Sequence, residues 1–572
     1  MKKGKILSVL TVMAVSTALL CSCGNGKKDS KVAEGGDDNA PMTFEIFDVA
    51  ANYQGMQSGW FAKVVKDKFN IELNIIAPQV AGDSIYQLRA SSGNLGDIVL
   101  LESTQFNDCL EAGLIKDITA ELKASPNLMK FENQISTFNK GLPGNSEGKF
   151  YGIPTEMTDT SPTTVTQERI YSLPQLKWDL YNKIGAPELK NLDDLLKAFV
   201  EIRKIHPTND KGDPAYPLSL WPDWDGGDGM IGIANVVQLT TWYGEKIKGS
   251  AILKQDGKTF YPLTDKSGTY YKMLKFLNDA YRLKVVDPDS GTQDWNSVCA
   301  KISNGQVDFI WYTWEIGFWN TFDRYNDGSA FCFIPVKDQK YYADSDSYYG
   351  SGRVFGVGSK VDDAKYKRIM AFLDWYASPE SLVIQHAGLE GFNYEVGSNG
   401  KYIQLNDNAL MDNLPVPAEF GGGGYSDGYN AINQWIGSSI CTNPKTGELY
   451  NTQYWSSYKE KNMTQMRREW ESKFNAANAT DYMSKNNALV VSPSVSVSLP
   501  SDSADISVIR NSVNHSVCDA SWRMIFAADD KTFDKMWDEM VTELKGFGFD
   551  DLYKFDVEKH TIEVNAKLAA MK

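Results

Sequence analysis

The chain has 572 residues, of which 42% are hydrophobic and 23% charged, a globular composition with room for at least two lobes. Its formal net charge of −15 argues against a nucleic-acid partner, because phosphate binding needs clustered Lys and Arg. Only four histidines occur, and none is spaced as a pair of metal ligands. We therefore expect no metal site built on histidine and no cofactor.

The first 22 residues have the pattern of a bacterial lipoprotein signal peptide. Three lysines precede an apolar segment, 6–20, that is too short to span a bilayer comfortably. At its end, Cys23 has the small Ser22 directly before it and the aliphatic Leu20 three positions before it, as in a lipobox. We predict that Cys23 is acylated; an ordinary secretory signal cleaved nearby is the alternative. Residues 23–41 lack an apolar period and are predicted to form a flexible tether.

No later hydrophobic run in the sequence reaches the length of a membrane span. We therefore expect an exported, soluble protein that is attached to the outer face of the cytoplasmic membrane by its lipid alone. A core of this size does not require disulfides. The later cysteines are widely spaced and are expected to be buried thiols: Cys109, Cys299, Cys332, Cys441 and Cys518.

Strand and helix patterns alternate in residues 42–116. They predict three strands and two helices, at 43–49, 59–70, 71–76, 84–92 and 97–101. Two consecutive βαβ units imply a parallel sheet, and ligands bind beyond the carboxyl ends of such strands. Asn52 and Tyr53 follow the first strand, and Glu102 follows the third. These polar loops suit the binding of hydroxyl groups, although an ordinary solvated loop explains them equally well.

The densest aromatic segment is residues 309–320, FIWYTWEIGFWN, which follows a turn-forming Asn-Gly-Gln. Such side chains fill a core, or they form flat walls on which a ligand with C–H faces and hydroxyls can stack. Trp311, Trp314 and Trp319 cannot share one face at either the strand or the helix period. We therefore expect some of these rings to face a cleft.

A second aromatic group lies in a loop rich in proline and glycine. It combines Trp221 and Trp224 with Asp225, and an indole beside a carboxylate suits sugar recognition. A loop pinned by buried tryptophans explains the same residues. Asp223, Asp225 and Asp228 alternate loosely, as in a calcium loop, but the terminal glutamate is missing, so calcium is disfavoured.

Six further motifs occur in a fixed order. They are GDIV at 96–99, GLIKDIT at 113–119, GKFYGIP at 148–154, GQVD at 305–308, FLDWYASPE at 372–380 and TFDKMWDEMVTELKGFG at 532–548. Each motif alone is weak evidence for any family, but the order of all six across nearly all of the mature chain is specific evidence. In that order they resemble the extracellular solute-binding proteins of carbohydrate ABC transporters, above all the large lipoprotein subgroup.

The resemblance implies an α/β fold of the type II periplasmic-binding-protein kind. Two lobes, each a central sheet flanked by helices, are joined by a multi-segment hinge. We expect lobe 1 to comprise 42–116 and 326–395, and lobe 2 to comprise 117–325 and 396–572. The implied function is that of a monomer, not an enzyme, that binds an oligosaccharide between the lobes and delivers it to the membrane permease of an ABC transporter.

The resemblance also ranks the candidate site residues. It places the strand after the Asn-Gly-Gln turn at the cleft, with a stacking aromatic a few residues beyond it. Trp314 is therefore the leading candidate, and Trp311 and Trp224 are next. Trp435, which follows a run of four glycines, is the candidate from the last crossing between lobes.

A glycoside hydrolase is the main alternative, because aromatic and acidic side chains serve both binding and hydrolysis. Glu102 and Glu156 are candidate ligand contacts, and in this alternative they are the paired carboxylates. A GxSxG match at 144–148 lies in a polar turn rather than between a strand and a helix, so we interpret it as chance. A surface adhesin is disfavoured because the sequence has no internal repeats.

Overall fold

The computed structural model describes residues 40–571, apart from 83, 146, 167–169, 227–229, 407–413, 462, 498 and 501. Cys23, Ser146 of the GxSxG match and Asp228 of the disfavoured calcium loop lie outside the described residues. Within them, no helix combines the length and the apolar character that a membrane crossing requires.

The strands are short and form several separate sheets. We number them in chain order as β1 Met42–Asp48, β2 Gly55–Met56, β3 Ile71–Ile76, β4 Ile98–Glu102, β5 Ile153–Pro154, β6 Ser172–Lys177, β7 Lys246–Lys248, β8 Ala251–Leu253, β9 Phe260–Pro262, β10 Phe309–Tyr312, β11 Phe331–Phe333, β12 Tyr341–Asp344, β13 Arg353–Val357, β14 Tyr394–Val396, β15 Tyr402–Gln404 and β16 Leu489–Ser492.

The largest of these sheets has the strand order β2-β3-β1-β4-β13-β5. β1 pairs in parallel with β3 and with β4, which confirms the parallel sheet predicted for residues 42–116. β13 returns antiparallel to β4 and brings β5 into the sheet on its other side. The sheet is thus completed by strands from distant parts of the chain.

Helices surround the sheets. The α-helices are Gly59–Phe69, Pro78–Ala81, Ser84–Ser92, Ser103–Glu111, Thr119–Lys123, Glu132–Lys140, Trp178–Lys183, Leu192–Ile205, Ala234–Thr240, Thr269–Arg282, Trp295–Ser303, Phe322–Asp327, Asp363–Tyr376, Pro379–Ala387, Ser456–Lys461, Gln465–Phe474, Ala479–Lys485, Ala504–Ile525, Asp530–Phe547 and Phe549–Ala570. Short 3₁₀ turns span Leu128–Phe131, Pro288–Gly291, Thr313–Phe318, Ala418–Phe420 and Thr452–Tyr454.

Local sequence explains where several helices begin. Leu192–Ile205 begins after Asn191, whose side chain accepts a hydrogen bond from the backbone N–H of Asp194 at 3.1 Å. An N-cap of this kind satisfies a backbone donor that the first helical turn leaves without a partner. The apolar positions then recur every three or four residues, so one face of the helix is buried.

Lobe 1 has hydrophobic cores on both faces of the six-stranded sheet. Along β1, Phe44 and Ile46 pack into one core and Phe47 into the other. β4 alternates in the same way, with Leu100 on the first face and Leu101 on the second. Successive side chains of a strand point to opposite faces, so both central strands are buried on two sides.

Lobe 2 is built around a single larger core. Three small sheets contribute to it, with orders β10-β6-β11, β7-β8-β9 and β12-β16. The last three helices pack on it through Val513, Trp537 and Leu552. β6 lies between β10 and β11 and is buried along its whole length.

The two cores divide the chain differently from the expected boundaries. Residues 117–157 and 414–455, expected in lobe 2, contribute to the lobe 1 core, because β5 joins the first sheet beside β13. Residues 326–344, expected in lobe 1, contribute to the lobe 2 core, because β11 pairs with β6. These boundaries are corrected accordingly.

Along the described residues, the chain crosses between the lobes three times. It leaves one core and enters the other between Met157 and Ile170, between Ala343 and Val354, and between Trp455 and Met466. These three segments are therefore the connections between the lobes.

Candidate ligand-binding site

The predicted aromatic segment changes direction at the end of β10. A 3₁₀ turn, Thr313–Phe318, follows the strand directly. The carboxylate of Glu315 lies under the turn and accepts hydrogen bonds from the backbone N–H groups of Trp311 and Tyr312, at 3.2 and 3.0 Å. Burial raises the pKa of Glu315 to about 8. This turn brings Trp314 to the surface.

Trp314 is an exposed indole on a base of other aromatic rings, with 41% of its surface accessible. Its ring centroid lies 5.3 Å from that of Trp295, 5.4 Å from Tyr312 and 5.9 Å from Trp224. Phe318 packs edge-on at 6.4 Å. Rings in such contact hold one another in place, so Trp314 presents a supported flat face.

A recess of about 170 Å³ adjoins Trp314. Its lining combines aromatic rings, hydroxyl groups, an amide and two charged groups. The lining residues are Tyr171, Ser172, Gln238, Thr241, Lys246, Tyr312, Trp314, Tyr342 and Asp344. This is the mixture of flat apolar surface and convergent polar groups that small-ligand sites use.

The recess is lined by residues that adjoin two of the crossings. Tyr171 and Ser172 lie where the first crossing enters lobe 2, and Asp344 lies where the second crossing leaves it. The base of the recess is fixed by hydrogen bonds: Trp242 Nε1 donates to Ser172 Oγ at 3.0 Å, and the Tyr342 hydroxyl donates to Asp344 at 2.9 Å.

In lobe 1, Asn52 and Tyr53 follow the end of β1, and Glu102 is the last residue of β4. Asn52 and Tyr53 are exposed in the loop after β1. Glu102 ends β4, directly opposite Arg353 of β13, whose Nε donates to it at 2.7 Å. These residues remain candidate ligand contacts.

Asp48 is buried at the end of β1. One carboxylate oxygen accepts a hydrogen bond from the backbone N–H of Ala50 at 2.8 Å. The other oxygen has no partner among the residues that the structure describes. Burial raises the pKa of Asp48 to about 8, against the lowering effects of the backbone hydrogen bonds from Ala50 and Ala51 and the charge of Arg353.

Glu156 and Trp435 are adjacent although they lie far apart in the sequence. The N–H of Glu156 donates to the carbonyl of Trp435 at 2.7 Å, and Glu156 has a positive φ of 57° just before the first crossing. The Trp435 ring packs edge-on against His386 at 5.3 Å. Both residues stay candidates, positioned on lobe 1.

Trp221 and Trp311, predicted as ligand contacts, are core residues. Each has only 1% of its surface exposed, and their rings stack 5.6 Å apart at 12°. Neither presents a face to a ligand in this conformation, so this part of the prediction is corrected. Trp224 is partly buried, and its ring packs against that of Trp314 with the centroids 5.9 Å apart.

Asp225 has a structural role that accounts for its carboxylate. One oxygen accepts from the N–H of Ala234 at 2.8 Å, and the other accepts from Trp522 Nε1 at 2.6 Å. Burial raises the pKa of Asp225 to about 6. The nearby Asp223 accepts from the N–H of Trp295 at 2.7 Å. The described residues contain no cluster of three metal-ligating side chains.

Several recess residues were missed by the sequence analysis: Tyr171, Gln238, Lys246, Tyr342 and Asp344. They belong to segments up to about 170 positions apart, and no local motif marks them. The available signal was weak: the sequence YYAD at 341–344 carries two aromatic rings and an acid at the end of an apolar strand.

Two other concavities lie away from the crossings. One follows the charged face of the helix Asp530–Phe547, and the other lies over β3 and the helix Gly59–Phe69. Neither adjoins the exposed indole, so the recess beside Trp314 is the candidate site.

The fold and this site define a two-lobed α/β binding protein. The model of the family described as bacterial extracellular solute-binding protein matches residues 54–382, more than half of the chain. The chain therefore belongs to that family. Its members are binding proteins rather than enzymes, so Glu102 and Glu156 are not assigned catalytic roles.

Known relatives agree with this assignment. The polygalacturonan/rhamnogalacturonan-binding protein YtcQ of Bacillus subtilis is 23% identical over 420 residues, which are 70% of this chain and 76% of YtcQ. The substrate-binding protein FusA of the S. pneumoniae ABC transporter, solved with kestose, superposes with a TM-score of 0.58 at 16% identity, covering 92% of this chain and 99% of FusA. An HMO-binding solute-binding protein of Bifidobacterium longum infantis gives 0.57 at 14% identity, with 92% and 100% coverage. At these identities the solved structures establish the fold alone.

Proposed function

We propose that this protein captures an oligosaccharide between its lobes and delivers it to the permease of an ABC transporter. The observation that carries the proposal is the exposed, ring-supported face of Trp314 beside a polar recess, on the side of lobe 2 where two crossings meet it. The relatives named above are described by carbohydrates that they bind, which supports the same class of ligand.

The recess has the two properties that a sugar requires. A pyranose ring presents an apolar C–H face, which an indole can cover, and a rim of hydroxyls, which need hydrogen-bonding partners. Trp314 supplies the first, and Ser172, Gln238 and Asp344 supply polar groups beside it. Asn52 and Glu102 on lobe 1 are proposed to contact the opposite side of the ligand.

Binding from both sides favours the closed arrangement of the lobes, because only that arrangement lets one ligand contact both. The three crossings are the segments at which the lobes can rotate. The permease is proposed to recognise the closed form of a monomer.

The proposed location is the outer face of the cytoplasmic membrane. A lipid on Cys23, with 23–41 as a tether, would keep the protein beside the permease without a membrane-spanning helix. This part of the proposal is based on the sequence.

A thermal-unfolding screen tests the ligand class. The purified protein is heated with a panel of neutral and acidic oligosaccharides and, as controls, with amino acids and dipeptides. A ligand that binds only the native state must raise the melting temperature. We expect at least one oligosaccharide to stabilise the protein, none of the controls to do so, and the sugar to be recovered uncleaved. Stabilisation by amino acids or peptides alone would overturn the proposal.

A further inference from the structure

Lys246 lies in the same recess as Trp314 and has no counter-ion of its own. Its Nζ is 5.4 Å from the centre of the Tyr342 ring. Among the described residues it forms neither a hydrogen bond nor an ion pair within 4 Å. Lys248, on the same face of β7, differs: its Nζ pairs with Glu563 at 2.9 Å. The strand therefore presents one paired and one unpaired ammonium group.

The charges around Lys246 do not balance. Lys567 donates to Ser492 at 2.6 Å and also pairs with Glu563 at 2.8 Å, so Glu563 is shared by two lysines. The negative charge of Asp344 acts on Lys246 at a distance. The hydrogen bond that Asp344 accepts comes from the Tyr342 hydroxyl and not from Lys246. Three lysines thus face two carboxylates, which leaves an excess of one positive charge in a chain whose formal net charge is −15.

Lys246 itself lies where water is partly displaced. Burial lowers the pKa of Lys246, which shows that the protein alone stabilises its charge poorly. An anionic group of a ligand would supply the missing partner, and a hydrogen bond between charged groups is stronger than one between neutral groups. A neutral sugar would leave the ammonium partly desolvated and unpaired.

We propose that the oligosaccharide is acidic, and that Lys246 binds a carboxylate of the sugar while Trp314 covers the ring. The inference rests on the proposed function and narrows its ligand to carboxylated sugars. Since the overall charge of the protein repels anions at long range, recognition must come from this local contact rather than from electrostatic steering.

Calorimetry with matched ligands tests the charge requirement. The probes are linear trisaccharides of galacturonate, glucuronate and mannuronate, each as the free acid and as its methyl ester, which has the same ring without the charge. We expect at least one free acid to bind at least tenfold more tightly than its ester. If no free acid has an advantage over its ester, the proposal is wrong.

A pair of variants assigns the effect to Lys246. Lys246→Met keeps an unbranched side chain, one atom shorter, and removes the charge. Lys254→Met is the control, because Lys254 belongs to the same small sheet region and lies over the Tyr261 ring at 5.6 Å, outside the recess. Lys246→Met should lower affinity for the free acid at least tenfold and leave the ester unchanged, whereas Lys254→Met should match the parent. Equal losses in both variants would overturn the assignment.

The outcomes also separate this inference from the proposed function. Neutral oligosaccharides that bind while every uronate fails would refute the acidic ligand and leave the sugar-binding proposal standing. If neither neutral nor acidic oligosaccharides bind, both proposals fail together.

Discussion

Trp221 and Trp311 stack face to face, with ring centroids 5.6 Å apart and planes at 12°, and both are almost completely buried. They come from the two aromatic segments that the sequence marks most strongly. The two segments are in contact at a second point as well, since the ring centroids of Trp224 and Trp314 lie 5.9 Å apart. Trp221 and Trp311 fill the core, and Trp314, three residues after Trp311, lines the recess.

Truncation of the buried ring should destabilise the protein. We expect Trp311→Ala to lower the free energy of unfolding by about 3–5 kcal/mol, because a large cavity replaces the indole in a packed core. Denaturant-induced unfolding of the protein without ligand measures this. An unchanged unfolding midpoint would contradict the assignment of Trp311 to the core.

Stability should fall as the pH rises through the neutral range. Burial raises the pKa of Asp48 from 3.8, and that of Glu315 from 4.5, to about 8. Between about pH 4 and pH 8 the folded protein therefore keeps protons that the unfolded chain has released. The unfolding free energy then decreases with pH, at up to roughly 1.4 kcal/mol per pH unit for each such carboxyl.

Asp48→Asn tests this assignment. The amide cannot ionise and can still accept the hydrogen bond from Ala50, so the variant should lose less stability between pH 4 and pH 8 than the parent does. Asp519→Asn, at an exposed position on the helix Ala504–Ile525, is the control. Parallel pH profiles for the parent and Asp48→Asn would show that Asp48 does not hold a proton in this range.

Lipidation is tested through Cys23. In a bacterial host, Cys23→Ala should remain unprocessed or leave the membrane fraction, because the lipobox loses the residue that receives the lipid. Cys21→Ala is a matched control two residues away. Normal processing and membrane retention of Cys23→Ala would contradict the lipoprotein assignment.

Much of the fold follows from local patterns. The strands β1, β3 and β4 and the helix Gly59–Phe69 lie within a residue or two of their predicted positions, because apolar periodicity determines them. The helix Leu192–Ile205 begins after Asn191, a residue type favoured as an N-cap. Such features depend on neighbours in the sequence and need no knowledge of tertiary contacts.

The lobe boundaries and the site depend on distant contacts. β5 joins β13 across about 200 residues, and this pairing returns 117–157 to lobe 1. In the same way, the recess brings Lys246 beside Tyr342 and Trp314. The sequence pattern also cannot distinguish Trp311 from Trp314, because a single turn, held by the buried Glu315, decides which ring is exposed.

The central claim is that Trp314 forms the binding surface of a sugar site, and one paired measurement on Trp314→Ala tests it most directly. Affinity for an oligosaccharide that stabilises the parent is measured by calorimetry, and unfolding without ligand is measured by denaturant on the same sample. Stacking of a flat ligand on an aromatic ring contributes about 1–3 kcal/mol in nucleic-acid complexes, a scale that we apply to a pyranose face. We therefore predict a loss of roughly ten- to a hundredfold in affinity and a loss of only about 1 kcal/mol in stability. Unchanged affinity, together with a loss of about 3–5 kcal/mol in unfolding free energy as expected for a core ring, would contradict the account.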